Sequence, residues 1–198
     1  MVSYLSYGLT KLLKKVDQTI DKEKEEIIIY GLEVLIYEVL MFCFVFLIAF
    51  IFNIEIYVLS SVLSYSLVRG FASGVHAKTR IICGSAYLFY IFFSTLISIY
   101  VFDKYIFNLS LVLYSFNMIF LLKYAPGDTL ENPIKDIKKI KFKKAGAVFS
   151  LSLIFLLSYI IKEYNPVISN IIMLSSTIAT LLTTPFAYKI FGCKKNKI

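Results

Sequence analysis

The segment IIIYGLEVLIYEVLMFCFVFLIAFIF, residues 27–52, holds two acids and no base in 26 positions. Five more runs with at most one charge follow, at 54–68, 81–101, 105–122, 145–161 and 167–191. A helix needs roughly 20 apolar residues to cross about 30 Å of hydrocarbon. The chain is 59% hydrophobic over 198 residues, more apolar surface than a soluble domain of that size can hide. The runs are continuous rather than alternating and exceed the roughly 10 residues of a barrel strand. Helices are the other structure that satisfies every backbone group in lipid. The expectation is an all-α integral membrane protein with six transmembrane helices in one membrane domain, 1–198, the second span extending to 54–75.

The charges orient these spans. Lys and Arg number 21: five lie in 1–24, three in the 69–80 loop, seven in 123–144 and four from 189 onward. Only Lys104 and Lys162 fall in the alternate connections. Positive charge favours the cytoplasmic side, so both termini and both basic loops are assigned there. Contact with anionic lipid completes the account of these charges, and no nucleic-acid partner is implied. Residues 1–24 read as an interfacial helix and linker, since Leu5, Leu9, Leu12, Val16 and Ile20 recur at helical spacing beside Lys11, Lys14 and Lys15. They lack the apolar core of a signal peptide.

At one cytoplasmic boundary stands SGVHAKTRIICG, residues 73–84. It contains the sole histidine, His76, and one of three cysteines, Cys83. One His and one Cys fall short of the four ligands of a closed zinc site, so no metal or cofactor is expected. A thiolate with an imidazole to accept its proton is, however, enough for the core of a cysteine peptidase. The pair alone is equally compatible with a small Cys at a helix end and a solvated His. In one straight helix the two would lie about 10.5 Å apart along the axis, too far for direct proton transfer. Direct pairing therefore needs a turn between them or a partner from another subunit. Gly74 permits unusual backbone angles just before His76.

Other polar residues at membrane depth are candidates for support. Arg69 either snorkels to headgroups or faces a cavity, where it binds a carboxylate or an oxyanion. Glu33 and Glu38 lie inside the first apolar run, where acids rarely face lipid. Either of them, or Asp128 in the long basic loop, can pair with Arg69 or orient His76, and each is equally readable as an ordinary structural contact.

The run RGFASGVHAKTRIIC resembles the signature of the AgrB family (accessory gene regulator protein B): an Arg, then Gly-x-His-Ala, then a Cys seven residues after the His. The stretch KYAPGDTLENPI, 123–134, is similar to that family's second motif, and Ser73 stands where many members have another Gly. The resemblance covers nearly the whole chain. It implies a membrane cysteine endopeptidase of the bacterial cell membrane, with its active site on the cytoplasmic side and a homodimeric assembly. Its substrate would be an AgrD-like propeptide whose acidic tail is removed before the rest closes into a thiolactone or lactone signal for quorum sensing. By that resemblance Cys83 is the nucleophile and His76 the base, with Arg69 and Gly74 in support. An acidic tail also suits the basic loop around Lys138 and Lys139. The alternative class is a small transporter or membrane scaffold without chemistry, which the lack of repeats and of paired broken segments disfavours.

The charge division generates a topology prediction. Cysteines introduced at 53 and 103 are expected to label from outside intact cells, and one at 140 only after permeabilisation. Labelling at 140 in intact cells overturns the orientation.

Overall fold

The computed structural model describes residues 2–16, 21–75, 77, 79–101, 107–128, 134 and 136–193. These form eight α-helices: α1 (Val2–Val16), α2 (Lys22–Ile51), α3 (Glu55–Ala72), α4 (Arg80–Tyr100), α5 (Phe107–Tyr124), α6 (Ile137–Ile161), α7 (Pro166–Leu181) and α8 (Pro185–Ile190). No strand occurs among the described residues, where the pairing outside helices is a single parallel bridge between Ser73 and Gly127. Helices α2, α4 and α6 are long and apolar enough to cross a membrane, and α5 and α7 are shorter apolar helices.

The helix limits follow local chemistry that the apolar runs conceal. Helix α2 begins at Lys22 because the Asp21 carboxylate accepts from the Lys24 N–H at 2.8 Å. Helix α6 begins at Ile137, eight residues ahead of the apolar run at 145, because Asp136 caps the Lys138 N–H at 2.8 Å. The lysines from 138 to 144 therefore ride on a helix rather than in a loop. The sixth run is broken in two. Helix α7 ends at Leu181 and α8 starts at Pro185, whose ring and missing N–H interrupt the helical ladder. Helix α3 ends at Ala72, three residues before 75.

The chain divides into two compact units, 1–53 and 54–198. In the first, α1 packs on α2 and Lys14 pairs with Glu25 at 2.5 Å. Helix α1 buries Ser6 and Thr10 and leaves Leu5, Leu9 and Leu12 exposed, the apolar face expected of an interfacial helix. Ile20 lies outside the described residues.

In the second unit α7 is the axis, packed against α3, α4, α5 and α6. Its buried residues include five with hydroxyls, Ser169, Ser175, Ser176, Thr177 and Thr180, beside Asn170, Ile171, Ile172, Met173 and Ala179. Small residues let helices approach closely, and each hydroxyl needs a partner where water is absent. Ser61, Ser94 and Ser175 bond mutually at 2.9–3.0 Å, tying α3, α4 and α7. Ser158 and Ser169 meet at 2.7 Å, and Asn117 Nδ2 donates to Thr177 Oγ1 at 2.8 Å. With 16 residues α7 spans about 24 Å. Its end therefore comes short of a full crossing, and the backbone beyond it meets the loop that follows α3.

Candidate functional site

After Ala72 the described residues of the loop leave the helical ladder, and backbone groups of Ala72–Val75 find partners elsewhere. The Gly74 N–H donates to the Gly127 carbonyl at 3.1 Å, and the Gly127 N–H donates to the Ala72 carbonyl at 2.9 Å. The Val75 N–H donates to the Leu182 carbonyl at 3.1 Å. Three segments remote in sequence thus converge: the end of α3, the turn after α5 and the break after α7.

Arg69 is turned toward this loop. Its Nη1 donates to the Ser73 carbonyl and its Nη2 to the Val75 carbonyl. A planar guanidinium can bridge two carbonyls that a single ammonium could not hold in the same way. Arg69 also sits in the last turn of α3, where a cation favours the helix end. The geometry is that of a backbone clasp.

The glycines fit this close approach. Gly74 has φ +128°, and a Cβ there would collide with Arg69 Nη1 and stand 2.6 Å from the Leu182 carbonyl oxygen. A Cβ on Gly127 would lie 2.7 Å from Gly74 Cα. Ser73 has φ +54°, a region that favours glycine. Its hydroxyl accepts from Lys143 Nζ at 2.8 Å, a contact that helps hold the serine there.

Cys83 is an exposed thiol in the first turn of α4. Thr79 caps that helix by accepting from the Ile82 N–H at 3.3 Å, and the Cys83 N–H donates to the Thr79 carbonyl at 3.1 Å. The start of a helix favours negative charge. Tyr65 on α3 packs edge-on against Tyr87 on α4 with ring centres 5.6 Å apart. One turn toward the loop from Tyr65 is Arg69, and one turn toward it from Tyr87 is Cys83. Arg69 and Cys83 therefore share the loop end of this helix pair. His76 lies outside the described residues; its neighbours Val75 and Ala77 are non-helical. Among the described residues 74, 75, 77 and 79 are non-helical, so no single helix runs from 74 to 84.

The remaining candidates separate. Asp128 is buried beside the loop: its Oδ2 accepts from the Ile134 N–H at 3.3 Å and its carbonyl from the Tyr188 hydroxyl at 2.8 Å. Glu33, half-buried, and Glu38, exposed, both belong to α2 in the first unit. Lys138 and Lys139 are exposed on α6, and it is Lys143 that reaches the loop. Gly127, Leu182, Tyr188 and Tyr65 carry no individual signal in the sequence; Gly127 lies inside the second motif, and the other three sit in apolar runs. Cys43 is exposed on α2 and Cys193 half-buried beyond α8, neither in a disulfide.

The fold and this loop define a helical membrane protein whose motif residues meet at one end of a helix bundle. The chain belongs to the accessory gene regulator B (AgrB) family, whose model matches residues 6–183. It is 30% identical over 168 residues to an AgrB-like protein of Clostridium perfringens, covering 80% of this chain and 78% of that one. It is 29% identical over 164 residues to an AgrB-like protein of Clostridium acetobutylicum, covering 82% and 76%. It is 28% identical over 160 residues to accessory gene regulator protein B of Staphylococcus aureus, covering 80% and 81%. No solved structure matches.

The clasp makes a stability prediction. Gly74→Ala places a methyl against Arg69 and the Leu182 carbonyl at a positive φ, and is expected to cost about 2 kcal/mol or more. Gly70→Ala, with nothing within 4 Å, should be near neutral. Thermal unfolding in detergent checks both, and equal midpoints overturn the packing account.

Proposed function

We propose that this protein is a multi-pass membrane cysteine endopeptidase that removes the C-terminal tail of an AgrD-like propeptide and promotes cyclisation of the remainder. The observation that carries the reading is the thiol of Cys83 at the capped start of α4, level with the Arg69 clasp that holds the residue before His76. Family membership supports a place in accessory gene regulation and quorum sensing.

The chemistry needs only this chain's residues and the peptide. His76 takes the Cys83 proton, and the thiolate attacks the carbonyl before the tail. The C–N bond breaks, the tail leaves as an amine with a proton from His76, and the signal portion stays on Cys83 as a thioester. A Cys or Ser side chain within the peptide then attacks that thioester, closing the ring and returning the Cys83 thiolate, which regains its proton. Water must be kept from the thioester until the ring closes, which a site against a helix bundle favours. A thioester lies uphill of an amide, so loss of the released tail pulls the sequence forward. The basic turns of α6, with Lys138 and Lys139 exposed, offer an acidic tail its counter-charge. The site faces the cytoplasm, and two copies form the working assembly.

Mass spectrometry of the cognate propeptide with protein in lipid tests this. Cys83→Ser is expected to abolish tail removal while remaining folded, and Cys43→Ser and Cys193→Ser to retain it. Substantial cleavage by Cys83→Ser overturns the reading.

A further inference from the structure

The clasped loop is gripped from behind by the segment that follows α7. Leu182, at the break, accepts from the Val75 N–H. Six residues on, Tyr188 of α8 donates its hydroxyl to the Asp128 carbonyl at 2.8 Å. Tyr188 is only 3% exposed, and its hydroxyl stands 2.9 Å from where a Cβ on Gly127 would be. The Cys193 N–H donates to the Tyr188 carbonyl at 3.0 Å and closes the turn after α8. Gly127 in turn pairs on both sides with the end of α3, to Ala72 and to Gly74. One short segment therefore holds the loop before His76 twice: through Leu182 to Val75, and through Tyr188 and Gly127 to Gly74.

We propose that Tyr188 is a positioning residue for the reaction. Its hydroxyl fixes the Gly127–Asp128 backbone against which Ser73–Val75 lies, and so sets the geometry of His76 toward Cys83. The proposal rests on the Cys83–His76 reading. Proton transfer works over roughly 3 Å, and a misplacement of about 1 Å costs on the order of a hundredfold. A tether that leaves the fold intact but loosens this backbone is therefore expected to act on the chemistry more than on substrate binding.

The test uses full-length protein in lipid with Cys43→Ser and Cys193→Ser, so that Cys83 is the one thiol. Iodoacetamide kinetics over a pH series are compared for four proteins: this background, Tyr188→Phe, His76→Ala, and both together. Tyr188→Phe keeps the ring and deletes the hydroxyl. It is expected to slow alkylation at neutral pH about three- to tenfold, the scale of one lost hydrogen bond, and to move the pH profile toward that of His76→Ala. With His76→Ala already present, it should change the rate less than about twofold, because it acts through the histidine. No slowing with His76 present, or equal slowing in both backgrounds, overturns the positioning role, as does a lowered thermal midpoint without a rate change. If His76→Ala itself leaves the rate unchanged, the Cys83–His76 reading falls, and the positioning role with it.

Discussion

Backbone that leaves a helix at membrane depth must find hydrogen-bond partners inside the protein, and the rest of this structure is arranged around that demand. Between Ala72 and Thr79 the chain is non-helical where described. Its freed groups are taken up by Arg69, Gly127 and Leu182, each from a different element. The glycines at 74 and 127 are small because these backbones nearly touch. The break after α7 gives Leu182 a free carbonyl to offer. The hydroxyl bonds among Ser61, Ser94 and Ser175 hold α3, α4 and α7 in the register that lets those ends meet.

The same arrangement ends one helix and starts the next within the motif. A continuous helix would separate the His and Cys positions along its axis. Helix α3 ends at Ala72 and α4 starts at Arg80, so no single helix carries the motif. Arg69 holds the backbone of that loop through the Ser73 and Val75 carbonyls. The charge that reaches the loop from α6 is Lys143, bonded to the Ser73 hydroxyl, while the lysines one turn earlier remain exposed for a partner.

Much of this was legible in the sequence. The long apolar runs gave the helical class, and the isolated His and Cys marked the boundary where α3 ends and α4 begins. The convergence was not legible, because periodicity reports which face of an element is apolar and says nothing of which remote backbone meets it. Tyr188 and Leu182 look like ordinary members of a sixth apolar run until Pro185 divides it. Asp136 looks like one more loop acid until it caps α6 and turns the basic loop into helix. Arg69 was open to a snorkelling or a ligand-binding reading, and neither pattern showed that its guanidinium donates to two carbonyls of the loop that follows it.

The central claim is that Cys83 carries the signal peptide as a thioester. Its most direct test is intact-protein mass spectrometry of wild-type protein in lipid, mixed with the cognate propeptide and quenched in acid over a time series. The account predicts a transient adduct on Cys83 with the mass of the propeptide minus its tail, released by hydroxylamine. Tail release with no adduct at any time, or an adduct on another residue, would contradict it.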